Sequence, residues 1–351
     1  MSNTILNNIN IILAAMGSKP YSIKKLSLDD LINLSDYSLG IKNLVENLVE
    51  AEEDGITYFY IDKRNRLNNF LYRASSDKNM EAFLFTPGER TSEGTANVYN
   101  RLISDILPSW KNIPKRSDSV ICSNNYYTAE EYLDYGKRID GVIYLVIPPN
   151  NARIVVSPSG DIWYAFDRVS TEIRIEGLDA FNDSMLVFLA FFYEFVVNKN
   201  LANKITTVRN ASEILKDITE KEVENVQKLK DIFAKQDKSV IIKLFNTIDK
   251  LLSNKELKNK LIPLYRKYAD LNPMPEVGYY MINRKVSNPN ISILKILDEL
   301  FNPIDNGFDV LNYSSFLKVI WPTCEVWTDQ PCIFIDADNY EFLTAIKNRF
   351  S

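Results

Sequence analysis

The chain has 351 residues, 46% of them hydrophobic and 25% charged, which excludes extended disorder and collagen-like repetition. Its 46 Asp and Glu outnumber 41 Lys and Arg, and the net charge of -5 argues against a dedicated duplex-DNA binder with a basic footprint. Histidine is absent, so a Ser-His-Asp triad, a Cys-His dyad, a His-ligated zinc site and an imidazole base are excluded.

Chemistry must therefore rest on carboxylates, hydroxyls, thiols, Arg, Lys or Tyr. The cysteines Cys122, Cys324 and Cys332 are too few and too scattered for a Cys-only zinc site or a disulfide framework. They read as reduced thiols in a cytosolic setting.

Residues 1–53 read as an N-terminal helical segment. The first 20 residues lack a basic leader and form a first helix rather than a signal peptide. Ser27 followed by Leu28, Asp29 and Asp30 is an N-cap signature. Ile41–Gly55 carries apolar residues at three- and four-residue spacing, closed by glycine, and predicts one helix. A β-rich core is expected over 54–178. Ile56–Ile61, Asn68–Ala74 and Glu81–Pro87 are short, aromatic or β-branched runs bounded by turn residues. A helix is expected over 94–109, a strand over Ser117–Ser123 and a helix from Thr128 towards Gly136. Two strands, Gly141–Pro149 and Ala152–Pro158, follow around a Pro-Pro-Asn-Asn turn.

A helical insertion or lobe is expected over 179–315. The apolar run Met185–Val197 is shorter than the roughly 20 residues a bilayer needs and contains Glu194, so it reads as a buried core helix, with membrane insertion the weaker alternative. Helices are predicted over 211–236 and 239–270, and a loop over Asn272–Tyr280. Lys and Arg dominate 199–268, which reads as a solvated helical face rather than a nucleic-acid patch. Residues 316–351 hold a strand-rich stretch, Cys324–Ile335, and a last helix over 337–349. A lone strand pair is marginal by itself, so the tail is expected to rejoin the sheet of 56–167. The fold class is α+β with a mixed or antiparallel β core.

Three polar signals lie on strands far apart in sequence. Arg73, in Phe70-Leu-Tyr-Arg-Ala-Ser75-Ser76, ends an apolar strand; its guanidinium suits bidentate capture of phosphate or carboxylate, or an ordinary structural ion pair. Ser75 and Ser76 could add donors. Ser123, followed by Asn124, Asn125, Tyr126 and Tyr127, ends a strand before a helix; the junction can fix a polar ligand, or simply cap the helix through Asn125 or Thr128. Glu325 is a lone carboxylate between Cys324 and Val326-Trp327, placed there for a task or as an edge-strand gatekeeper.

In order and spacing, these residues resemble the Arg-Ser-Glu pattern of mono-ADP-ribosyltransferases. Phe70–Ser75 is similar to that family's first-strand element. Val120–Gly136 resembles its Ser-Thr-Ser strand and the helix after it, and Glu325–Ile335 its catalytic-glutamate strand. The likeness is closer to divergent bacteriophage members, through Thr86-Pro-Gly-Glu-Arg90 and Tyr144–Pro158. It covers 66–167 and 320–336 and leaves out the N-terminal helices and residues 180–315. The resemblance implies an ADP-ribosyltransferase core that uses NAD and modifies a host macromolecule. The protein would be phage-encoded, acting in the bacterial cytoplasm or carried with other virion components, with neither membrane nor nucleic acid as partner. It implies that Glu325 stabilises the positive charge developing on the nicotinamide ribose, that Ser123 orients that ribose, and that Arg73 anchors the phosphates. Ser75, Asn124 and Tyr127 join Arg73 and Ser123 as NAD-binding candidates, with no metal. Tyr126 and Trp163 are further stacking candidates.

The lack of histidine fits this branch and excludes the branch that uses His in place of the Arg. Two positions depart from the pattern. Thr323 stands where arginine-modifying members carry Glu or Gln, and Cys122-Ser123-Asn124 replaces Ser-Thr-Ser. The alternatives are a non-enzymatic virion-associated or host-binding module on the same fold and, third, a nucleic-acid-associated protein using the Lys-rich helices.

Overall fold

The structure is a computed structural model and describes residues 21–65, 67, 69–75, 80–88, 98–135, 141–197, 201, 205, 211–234, 238–272 and 274–350. The expected first helix within 1–20, Ser76, and Glu89 and Arg90 lie outside the described residues. The fold is mixed α+β, and among the described residues every strand pairing is antiparallel. The chain divides into two units, one of residues 1–90, 113–162 and 307–351, the other of 91–112 and 163–306. The second unit thus begins at Trp163, ahead of the expected 179, and takes in 91–112.

The first unit holds eleven described strands: β1 Ser22–Lys25, β2 Leu48–Glu53, β3 Ile56–Ile61, β4 Leu71–Ser75, β5 Ala82–Thr86, β6 Val120–Ser123, β7 Val142–Ile147, β8 Arg153–Val156, β9 Asp309–Asn312, β10 Glu325–Thr328 and β11 Cys332–Asp336. Nine form one sheet in the order β1-β5-β11-β7-β4-β6-β10-β8-β9, and β2 and β3 form a separate hairpin. The tail strands do rejoin the earlier sheet, but not as a pair. β10 inserts between β6 and β8, and β11 between β5 and β7. Both are buried along nearly their whole length, in keeping with the unbroken apolar run Cys332–Ile335 of β11 and with the need of the polar Glu325 on β10 for a partner.

The N-terminal segment is not purely helical. Ser27 does cap a helix, Leu28–Asn33, through a full capping box with Asp30. The long helix expected over Ile41–Gly55 stops at Asn47, and Leu48–Glu53 is a strand. The reason is the turn. Asp54 and Gly55 both take positive φ, 51° and 75°, the geometry of a two-residue hairpin turn favoured by Asp-Gly. Glycine closes a hairpin here, not a helix. The expected helix over 94–109 is, in its described part, a short α-helix at Val98–Arg101 followed by a π-turn, Leu102–Ile106.

The second unit packs helices Gly177–Val197, Ala211–Ala234, Lys238–Ser253, Lys255–Ala269, Glu276–Ser287 and Ile293–Leu300. The apolar helix has 21 residues, longer than its most hydrophobic run. By length and composition alone it could cross a membrane, but most of it is buried within the fold. Its Phe188, Phe191 and Phe192 are fully buried and ring against Tyr265. Its Glu194 is met by Asn225 at 2.9 Å and Lys221 at 3.3 Å, partners a buried carboxylate requires.

The single helix expected over 239–270 is two, because the Asn254 side chain accepts from the Leu257 amide and starts a new one. The loop expected through Tyr280 becomes helical at Glu276. Gly278 lies inside that helix where the Tyr265 hydroxyl packs into the space its Cβ would take.

Candidate active site

Strands β4, β6 and β10 are consecutive in the sheet, so Arg73, Ser123 and Glu325 stand on three neighbouring strands. Glu325 is directly opposite Ser123, and Ser123 directly opposite Tyr72. Residues opposite one another share a face and successive residues alternate. Tyr72, Ser123 and Glu325 therefore share one face, while Arg73 leaves β4 towards the other. Its guanidinium donates to the Ile121 carbonyl at 2.7 Å. The β4–β6 ladder consists of the single pair Tyr72–Ser123, and the Arg73 side chain ties the two strands together beside it.

Glu325 is 3% exposed. Its backbone is held on both sides: its amide donates to the Ser159 carbonyl at 2.9 Å, and its carbonyl accepts from the Ser157 amide at 2.8 Å. Its carboxylate is gripped by Arg116, Nε to Oε1 at 2.8 Å and Nη2 to Oε2 at 3.1 Å. β10 is an interior strand, so Glu325 is not an edge gatekeeper; it is a buried anion with a two-pronged counter-ion.

Arg116 opens a short 3-10 turn, Arg116–Asp118, just ahead of β6. The turn is pinned at both ends. Trp327 Nε1 donates to the Pro114 carbonyl at 2.9 Å, and Ser119 Oγ to the Lys115 carbonyl at 2.6 Å. No feature of the sequence set Arg116 apart from Lys115 beside it. The signal that finds it is the demand of a carboxylate on an apolar strand for a cation.

Ser123 is 3% exposed, and its Oγ accepts from the Asn125 amide at 3.1 Å. Asn125 caps the helix Tyr126–Tyr135, accepting from the amides of Tyr127 at 2.9 Å and Thr128 at 3.3 Å. Its Nδ2 donates to Thr323 Oγ1 at 3.3 Å. The capping expectation thus holds for Asn125, alongside whatever Ser123 does. Asn124 has both ends of its amide occupied by the tail chain, donating to the Pro322 carbonyl at 2.7 Å and accepting from the Cys324 amide at 2.8 Å. Its visible task is to clamp the approach to β10 against the end of β6.

Tyr127 is 46% exposed, the more open of the two tyrosines that start the helix. Tyr126 turns inward. Its hydroxyl accepts from Lys63 Nζ at 2.9 Å and donates to Asp338 at 2.9 Å, and its ring meets Tyr72 edge-on. Burial works against the Lys63 cation, yet the Asp338 and Tyr126 hydrogen bonds outweigh it and raise its pKa. Burial also pushes the Tyr126 phenol up to about 12. Ser75 ends β4 opposite Val142. Trp163 belongs to the helical unit, packed near Tyr99.

Two further groups flank Glu325. Tyr132, on the Asn125-capped helix, has its phenol pushed up by partial burial first, then by the charges of Glu325 and Asp161. The Cys324 thiol is pushed up to about 12 by burial and then by Glu325, so it is a neutral packing group at neutral pH.

A buried carboxylate in fixed orientation, with a hydroxyl opposite on the next strand, can accept ligand hydroxyls and stabilise a neighbouring positive charge. For NAD, a ribose hydroxyl suits the Glu325 carboxylate; the expected third member, Arg73, is not brought to this face, because β4 pairs Tyr72 with Ser123 and turns the next residue the other way. No family model, curated protein or solved structure matches the chain.

Proposed function

We propose that the sheet-bearing unit is an ADP-ribosyltransferase-like enzyme that binds NAD and transfers ADP-ribose to a host macromolecule, the protein being encoded by a bacteriophage. In this reading the bond between nicotinamide and ribose C1′ breaks, nicotinamide leaves, and a nucleophile of the acceptor takes C1′. Glu325 holds the ribose and stabilises its developing positive charge, and Ser123 orients it; Arg73, on the other face of the sheet, takes no part in this reading. The observation that carries the reading is the direct pairing of Glu325 with Ser123, residues 202 positions apart in sequence.

The test is incubation of the protein with labelled NAD and bacterial lysate. Label transfer or nicotinamide release by the wild type, lost in Glu325→Gln, supports the proposal; full activity of Glu325→Gln overturns it. One observation favours the non-enzymatic module instead: both Glu325 oxygens are already engaged by Arg116. A folded wild type that neither binds nor cleaves NAD decides for that alternative.

A further inference from the structure

Resting on the NAD-cleaving reading, we infer that Arg116 is the positioning residue for Glu325, fixing the carboxylate that faces the ribose. Neither a motif nor local spacing marks it. The geometry does.

The Glu325 backbone is immobilised by Ser157 and Ser159, which leaves only side-chain rotation free. The guanidinium fork removes that freedom by taking one hydrogen bond to each oxygen. A carboxylate oxygen has two lone-pair directions, so each still has one to offer a ligand hydroxyl. The pair is well shielded, with Arg116 at 13% and Glu325 at 3% side-chain exposure. Ion pairing is stronger there than at a wet surface.

Arg116 is itself held from behind by the Trp327 and Ser119 bonds to the adjoining backbone. Trp327 lies two residues beyond Glu325 on β10, so one strand supplies the carboxylate and steadies the segment that orients it. Such support is what a preorganised site requires. Tyr132 from the helix and Cys324 beside Glu325 on the chain both feel the charge of the carboxylate. Arg116 is the cation paired with the carboxylate.

The test measures steady-state NAD cleavage from pH 4 to 9 for the wild type, Arg116→Met and Arg116→Lys, with a thermal melt for each. For Arg116→Met, kcat is expected to fall on the order of 10- to 100-fold with KM for NAD nearly unchanged. The acid limb of kcat should move to higher pH, and Arg116→Lys should restore part of both. A wild-type kcat and acid limb in folded Arg116→Met overturns the inference alone. A raised KM at constant kcat overturns it too, by making Arg116 a ligand-binding group. Should Arg116→Met not fold, Arg116→Lys decides: it keeps a charge without the fork, so a kcat and acid limb identical to wild type refute orientation by the fork. An NAD-inert wild type defeats the underlying reading, and the inference with it.

Discussion

Glu325 and Ser123 face each other across the β6–β10 ladder, so the position of one is fixed by the position of the other to within the spacing of a strand pair. A carboxylate that must meet a developing charge works only if it is held there before the charge appears. Glu325→Gln keeps the shape but removes the negative charge and turns one of the two acceptors facing Arg116 into a donor. NAD cleavage is expected to fall on the order of 10²- to 10³-fold, read as nicotinamide release. Ser123→Ala should cost less, because its Oγ also serves the Asn125 amide. The measurement that separates the two is kcat/KM for NAD in each variant, with melting curves as the control for fold.

The three thiols are expected to be silent in the native protein. Cys122, Cys324 and Cys332 are all buried, and burial raises the Cys332 thiol as it does Cys324. A thiol-reactive chromogen should find none at pH 8 and all three after denaturation. The shift also has a linkage consequence. Cys324 has an ordinary value of 9.0 and a folded value of about 12. A group raised on folding contributes stability below its unfolded pKa and loses it as pH climbs towards the folded one. Its contribution is therefore complete below pH 9 and drains away between 9 and 12. The slope approaches about 1.4 kcal/mol per pH unit. Cys324→Ala should flatten urea-derived stability over that window, and an unchanged slope would remove the assignment.

What the sequence made legible was the alternation and the breaks. The strands at 56–61, 82–86, 142–147 and 153–156 fall inside the predicted runs because β-branched and aromatic residues there are bounded by Pro, Gly and Asn. Ser27 and the helix after it were readable for a local reason: a capping box involves four residues in a row. The failures were failures of context. Leu48–Glu53 has helical spacing, yet Asp54-Gly55 supplies the turn of a hairpin, and pairing with Ile56–Ile61 wins over propensity. Gly278 looks like a breaker until Tyr265 is seen to occupy the space its side chain would need. The site divided in the same way. Ser123 and Glu325 stood out because each is polar on an apolar strand, whereas Arg116 was hidden among ordinary charged loop residues. Its partner is 209 positions away, and no local pattern carries that distance.

Two glycines should respond to alanine for different reasons. Gly55 has φ +75° and nothing within 4 Å of its missing Cβ, so Gly55→Ala meets conformational strain alone, about 1–2 kcal/mol. Gly278→Ala drives a methyl into the Tyr265 hydroxyl and Cζ, an overpacking penalty of roughly 1–3 kcal/mol. Adding Tyr265→Phe removes the nearer atom. It should recover part of the Gly278→Ala loss and none of the Gly55→Ala loss in urea titrations. Equal recovery at both positions would refute the steric account.

The Arg116–Glu325 pair should be far costlier to break than to delete. Truncating Arg116 strands a carboxylate that is 3% exposed, a situation worth about 3–5 kcal/mol against the fold. Removing both charges leaves nothing stranded and fills the space with apolar atoms. Arg116→Met should therefore lower the urea midpoint sharply, Glu325→Leu less so because Arg116 is closer to solvent, and the double variant should lie near the wild type. The coupling between the two substitutions, taken from the full cycle, is the quantity to measure. Additive losses would mean that the two side chains do not depend on each other, and that the fork seen between them contributes nothing to holding β10 in its place.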